Sequence, residues 1–196
     1  MDLTRAMLIL GGYFDQGWLS QKHDYGCVMA DAPAPLRDKI EGWSRYRIED
    51  SSLYYNPDDP SESGRDYQSH VTVLYGLHTA NPLDVADLIE AQRIASFDVT
   101  LGRVALFSKP NYDVVKIDVS GDGLLALNAA LSALPNSNQY PTYQPHLTIA
   151  YVKPGIGLVF EDAANFEGLT FKVDRVRFSA ATGRTTVLPL YGVQVG

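Results

Sequence analysis

The sequence is nearly devoid of cysteine. Cys27 stands alone, which excludes an internal disulfide framework and any cysteine-rich zinc site. Such a residue reads as a small buried apolar side chain. Positive charge is also short: Lys+Arg 16 against Asp+Glu 23 gives a net charge of −7 and a pI near 5.0. That balance argues against a protein that coats duplex nucleic acid, while leaving room for a local phosphate pocket. No apolar run is long enough to span a membrane. The longest near the N-terminus, Ala6-Met7-Leu8-Ile9-Leu10, runs into Gly11-Gly12 with only Arg5 before it as a positive charge, and is too short for a signal-peptide core. A cytoplasmic protein with no membrane partner is expected. Several chemistries are missing as well. There is no Gly-x-x-x-x-Gly-Lys-Ser/Thr, no Gly-x-Gly-x-x-Gly after a strand, no His-Glu-x-x-His and no Cys-x-x-Cys. The acid-rich loop near Asp58 lacks calcium-loop spacing. Neither a metal nor another cofactor is expected.

What is present is ordinary globular composition, with 45% hydrophobic and 20% charged residues in 196. The length suits one core or two small fused lobes. Residues 1–24 carry no clear element and read as an appendage to a domain over 25–196. Tyr25 to Ala30 reads as a buried strand. Pro35 suits a first helical turn, with Leu36, Ile40 and Trp43 following at helical spacing. Residues 56–66, with two prolines, a glycine and no apolar side chain, form a loop. His70 to Leu74 reads as a strand. Asn81-Pro82-Leu83-Asp84 opens a helix whose buried face holds Val85, Leu88, Ile89 and Ala95 and which ends near Arg93. Phe97 to Leu101, Val104 to Phe107 and Tyr112 to Val119 suggest antiparallel strands. Asp122 is expected to cap a helix carrying Leu124, Leu127, Leu131 and Leu134. His146 to Val152 is another strand. Phe171 to Phe178 and Thr185 to Leu190 read as a closing hairpin around Gly183. Helices among strands with several short links favour α+β over a doubly wound parallel sheet.

Two segments repeat 76 residues apart: His70-Val71-Thr72-Val73-Leu74-Tyr75 and His146-Leu147-Thr148-Ile149-Ala150-Tyr151. Each is the strand of its half, a weak internal duplication. Residues i and i+2 of a strand share a face, so each histidine lies beside its threonine, over a core made by Val71, Val73, Leu147 and Ile149. If the halves pack about a pseudo-twofold axis, both polar faces line one cleft. Two imidazoles flanking a phosphorus can act as base and acid near neutral pH. Threonine hydroxyls can hold the non-bridging oxygens. The structural alternative is two buried histidines bonded to their own threonines.

The paired His-x-Thr motifs, with the strings His-Val-Thr-Val-Leu-Tyr-Gly-Leu (70–77) and Tyr-Gln-Pro-His-Leu-Thr-Ile-Ala-Tyr-Val-Lys (143–153), resemble the 2H phosphoesterase (2′-5′ RNA ligase-like) family, phage-encoded members included. The similarity spans roughly Tyr25 to Leu190. It implies a bilobal fold with two antiparallel sheets around a central cleft, pseudo-twofold, with helices outside. It also implies metal-free phosphodiester cleavage, with His70 and His146 as acid and base and Thr72 and Thr148 on the phosphate.

Further candidates rest on the residues themselves. Tyr75 and Tyr151 fall on the core side by ideal alternation, yet their duplication points to a role at the strand ends. Lys153 and Lys116 could neutralise phosphate. Phe107, Tyr112, Tyr140 and Tyr143 could stack a base. Asp174 interrupts a closing strand, suiting a turn or, less simply, a base edge. His23 and His78 lack the threonine and read as surface residues. The substrate expected is a nucleotide or cyclic oligonucleotide: a 2′,3′-cyclic phosphate, a 2′-5′ linkage, or a cyclic di- or trinucleotide. The phage-like strings point to degradation of antiviral (CBASS-type) signals. The competing expectations are a module that sequesters a nucleotide uncut, and an RNA-end-processing cyclic phosphodiesterase.

Overall fold

The computed structural model describes residues 24–140 and 142–193. The expected appendage, His23 included, lies outside them except for Asp24. The described residues form eight strands and three α-helices: β1 (Gly26–Asp31), α1 (Ala34–Arg47), β2 (His70–Leu77), α2 (Pro82–Ala91), β3 (Phe97–Ser108), β4 (Asp113–Ser120), α3 (Asp122–Leu131), β5 (His146–Val152), β6 (Thr170–Val173), β7 (Arg175–Ser179) and β8 (Thr185–Pro189). None of the helices is long and apolar enough to cross a membrane.

The strands lie in the order β6-β3-β4-β5-β2-β1-β7-β8, every neighbour antiparallel. Each half contributes four strands. The expected two sheets are continuous at one point, where Val71 of β2 pairs with Leu147 of β5. Both residues are fully buried, as the apolar side of each motif requires.

The helices begin where local chemistry starts them. Pro33 and Pro35 flank the start of α1, which buries Leu36 and Ile40. Asn81 caps α2, its side chain accepting from the Leu83 N–H at 3.2 Å, with Pro82 at the first position. That helix ends at Ala91, so Ala95 lies beyond its buried face and instead bridges Tyr191. Gly121, not Asp122, is the cap of α3; Asp122 is its first residue and stabilises the turn only through its charge.

α1 and α3 each cross to the opposite half. Trp43 of α1 packs edge-on to Phe160 and Phe166, which follow β5. Asn128 of α3 donates to the Val73 carbonyl of β2 at 2.7 Å.

Two expectations for the sheet are corrected. Phe97 to Phe107 is one strand, bent by a bulge between Leu101 and Val104. Phe171 to Phe178 is two strands: β6 pairs with β3, then the chain turns at Asp174 and β7 pairs with β1. The alternation changes phase there: Phe171 and Val173 are buried before the turn and Val176 and Phe178 after it, across the polar pair Asp174-Arg175, a local mark of a break that does not say which strand each side joins. Asp174 serves the turn: its carboxylate accepts from Arg175, and its carbonyl accepts from the Leu190 N–H. The hairpin β7–β8 turns at Gly183, as expected.

Candidate active site

An antiparallel pair centred on Val71 and Leu147 has a simple consequence. One step along the ladder, His70 falls beside Thr148 and Thr72 beside His146. All four side chains are half-buried on the face opposite the core. Diagonal neighbours of this kind lie about 7–8 Å apart, the separation at which two rings can flank one phosphorus.

The outer strands extend the same symmetry. Asp31 of β1 pairs with His70, and Asp118 of β4 pairs with His146. Thr72 faces Met29, and Thr148 faces Lys116. Each acid holds a cation. Arg177, from β7, grips Asp31 through two nitrogens, the shorter contact 2.7 Å, and reaches Gln68 at 3.3 Å. Lys116 pairs with Asp118 and lies 4.4 Å from the centre of the Phe107 ring. Phe107 in turn stands edge-on to His146 at 4.9 Å.

The imidazoles differ in their supports. Nδ1 of His146 lies 2.7 Å from the Gln144 carbonyl. A carbonyl only accepts, so that nitrogen carries the proton and Nε2 is left bare. Nδ1 of His70 is buried and has no hydrogen-bond partner. A buried orphan N–H costs more than a bare acceptor, so its proton rests on Nε2. Burial holds both rings below the ordinary histidine value of 6.5. Asp66 and Asp31 oppose this at His70, while Arg177 adds to it. At His146 the Gln144 bond and Asp118 oppose it, and Lys116 and His70 add to it.

The two motif tyrosines depart from ideal alternation. β2 carries an extra residue, Val73, between the pairs Val28–Leu74 and Met29–Thr72. β5 carries one at the equivalent position, Ile149, between Val115–Ala150 and Lys116–Thr148. Each bulge buries two consecutive apolar residues and shifts the alternation by one. Tyr75 and Tyr151 therefore emerge on the histidine face instead of in the core. Tyr75 is exposed and Tyr151 half-buried.

The remaining candidates scatter. Tyr112 joins Tyr151 edge-on at 5.7 Å, stacks on Tyr54 at 5.0 Å and donates to Glu62 at 2.8 Å. Tyr143 is half-buried, its hydroxyl donating to the Thr72 carbonyl at 3.1 Å. Tyr140 is exposed. Lys153 is exposed, and its ammonium donates to the Ser51 carbonyl at 2.7 Å. His78 is a surface residue bonded to Ser137. Cys27 is buried as expected, its thiol pushed up to about 12 by burial. Asp31, Asp118, Arg177, Glu62 and Tyr54 were not among the sequence candidates. Asp118 was within reach of alternation from Lys116; Arg177 depends on the β1–β7 pairing, which no local pattern announces. Among the described residues, no three His, Cys, Asp or Glu side chains gather as a metal site.

A sequence profile of the 2′-5′ RNA ligase superfamily matches residues 33–184. The chain belongs to that superfamily. It is a 2H phosphoesterase, a phosphodiesterase. No curated protein matches it. Among solved structures, Escherichia coli LigT in complex with 3′-AMP is similar at 19% identity and a TM-score of 0.57, over 87% of this chain and 96% of LigT. LigT in complex with NADP+ has 19% identity and a TM-score of 0.55, over 85% and 94%. TT0787 of Thermus thermophilus has 16% identity and a TM-score of 0.57, over 85% and 96%. These likenesses show the 2H phosphoesterase fold in this chain.

Proposed function

We propose that this phosphoesterase cleaves a cyclic nucleotide or oligonucleotide without a metal, by paired histidine catalysis. The substrate class is a 2′,3′-cyclic phosphate, a 2′-5′ linkage, or a cyclic di- or trinucleotide. The observation that carries the reading is the Val71–Leu147 register, which sets two His-Thr pairs head to tail on one face.

The protonation pattern supports a division of roles. His146, with Nε2 bare and its Nδ1–H held by Gln144, takes the proton from the attacking oxygen. That oxygen is the free ribose hydroxyl beside the ester (2′ for a 3′-5′ linkage, 3′ for a 2′-5′ linkage) or, for a cyclic phosphate, water. His70, in its charged form, gives its Nε2 proton to the leaving oxygen and becomes neutral; Asp66 and Asp31 favour that charged form. One P–O bond forms, one breaks, and one proton is transferred at each. Thr72 and Thr148 donate to the non-bridging oxygens, whose charge Lys116 and Arg177 offset. Tyr75, Tyr151 and Tyr112 contact the nucleoside. Lys153 meets a second phosphate only by releasing Ser51. LigT binding 3′-AMP and NADP+ supports a nucleotide ligand for this fold. Within this reading, the resemblance to phage proteins favours cyclic oligonucleotide signals of bacterial antiviral defence.

The test is cleavage of a panel of cyclic dinucleotides, cyclic trinucleotides, 2′-5′ dinucleotides and 2′,3′-cyclic mononucleotides in EDTA. His70→Ala and His146→Ala should each lower kcat by about 10²- to 10⁴-fold. An intact panel, or full activity in either variant, would overturn the reading. Stoichiometric binding of uncut ligand would replace it with a sequestering module.

A further inference from the structure

The bulges place Tyr75 and Tyr151 at symmetric positions beyond the two His-Thr pairs, running in opposite directions along antiparallel strands. Allowing for the extra residue, each lies about 10 Å along its strand from the Val71–Leu147 centre. Each gathers a ring cluster. Tyr75 meets Tyr25 edge-on at 6.2 Å, and Tyr25 stacks on His78 at 5.5 Å. Tyr151 meets Tyr112 edge-on at 5.7 Å, and Tyr112 stacks on Tyr54 at 5.0 Å. The two clusters are built from non-equivalent residues: Tyr25 enters from the start of β1, Tyr54 from the loop after α1. All six rings are half-buried or exposed, so aromatic faces stay within reach of a ligand. Buried aromatics elsewhere in the molecule, such as Phe166 and Phe178, are fully covered.

We infer that the cleft binds two nucleobases, one against the Tyr25–Tyr75–His78 cluster and one against the Tyr54–Tyr112–Tyr151 cluster, so that the substrate is a dinucleotide-class diester whose scissile phosphate lies between two nucleosides. This rests on the proposed reading of the His-Thr site. A mononucleoside cyclic phosphate brings one base and leaves one cluster idle. A diester joining two nucleosides brings a base on each side of the reacting phosphorus, and a base stacked inward of each ring would sit within a nucleoside's length of it. Charge agrees with this use. The carboxylate of Glu62, already accepting from Tyr112, would repel a second phosphate at that end but can accept from a base amino group.

The measurement is affinity of the His146→Ala protein by calorimetry for three probes: a dinucleoside monophosphate, the same molecule with one base removed, and a 2′,3′-cyclic mononucleotide. The dinucleoside should bind more tightly than either single-base probe. Tyr75→Leu and Tyr151→Leu should each weaken it by about 5- to 150-fold. Tyr75→Phe and Tyr151→Phe, which keep the ring, should retain affinity and show that the leucine effect is not misfolding. With one base removed, only one of the two leucine variants should still weaken binding. Equal affinity for all three probes, or loss of the mononucleotide in both leucine variants alike, overturns the inference. If the wild-type enzyme cuts cyclic mononucleotides and ignores dinucleosides, the two-base inference fails while the proposed chemistry stands. If dinucleosides bind through both clusters and nothing is cut, the reverse holds.

Discussion

At the scale of the residue, the two histidines set the pH behaviour. Both are held below 6.5 in the fold, first by burial. The folded protein therefore binds fewer protons than the unfolded chain between each lowered value and 6.5. Stability from this source is complete above pH 6.5 and is lost as pH falls through the lowered values. Denaturant midpoints measured from pH 8 down to 5 should decline, and the His70→Ala/His146→Ala double variant should decline less. The proposed mechanism needs His146 bare and His70 charged, so kcat/KM should be bell-shaped with its maximum on the acid side of 6.5, both limbs reporting the coupled pair. Lys116 is one of the charges that lower His146. Lys116→Met should move the acid limb to higher pH, a shift that loss of packing alone would not produce.

At the scale of the element, the bulges decide what the motif strands present. Gly76 has φ of +102°, and a Cβ there would stand 2.9 Å from the Asn138 backbone nitrogen. Gly76→Ala should cost about 1–3 kcal/mol, read by chemical denaturation, and should disturb Tyr75 next to it. Strand existence, the His-Thr face and two of the helix starts were legible in the sequence because they obey periods of 2 and 3.6 and local capping chemistry. The face of Tyr75 and Tyr151 was not, since a bulge is a property of two paired strands and the adjacent apolar pairs Val73-Leu74 and Ile149-Ala150 do not by themselves say that the alternation shifts. At the β6–β7 break the phase shift at Asp174-Arg175 was visible, but not that one half claims Val173 and the other Arg175, because partner choice is a long-range property. Arg177 went unnoticed with it.

At the scale of the whole molecule, the two motif strands meet at a single ladder pair, flanked by the isolated bridges Leu53–Val152, Arg65–Ala150 and Leu77–Asn136, so the relative placement of the His-Thr pairs depends on what holds that junction shut. Leu147→Ala removes a fully buried side chain at the junction. It should cost about 2–5 kcal/mol, and it should lower kcat beyond what the same loss of stability does when introduced by Leu127→Ala in α3, also fully buried. Thermal melts paired with single-turnover rates would separate the two.

The crossing of α1 and α3 carries a consequence for any attempt to take the protein apart. Trp43 lodges against Phe160 and Phe166, and Asn128 fastens to Val73, so each motif strand is clad by a helix encoded beside the other. Severed from its counterpart, a fragment would keep its strands but lose part of their cladding, and would carry a helix with an uncovered face. Two copies of one fragment could trade helices and so rebuild the missing cover. A monomeric, well-folded half is not the product this architecture leads one to expect.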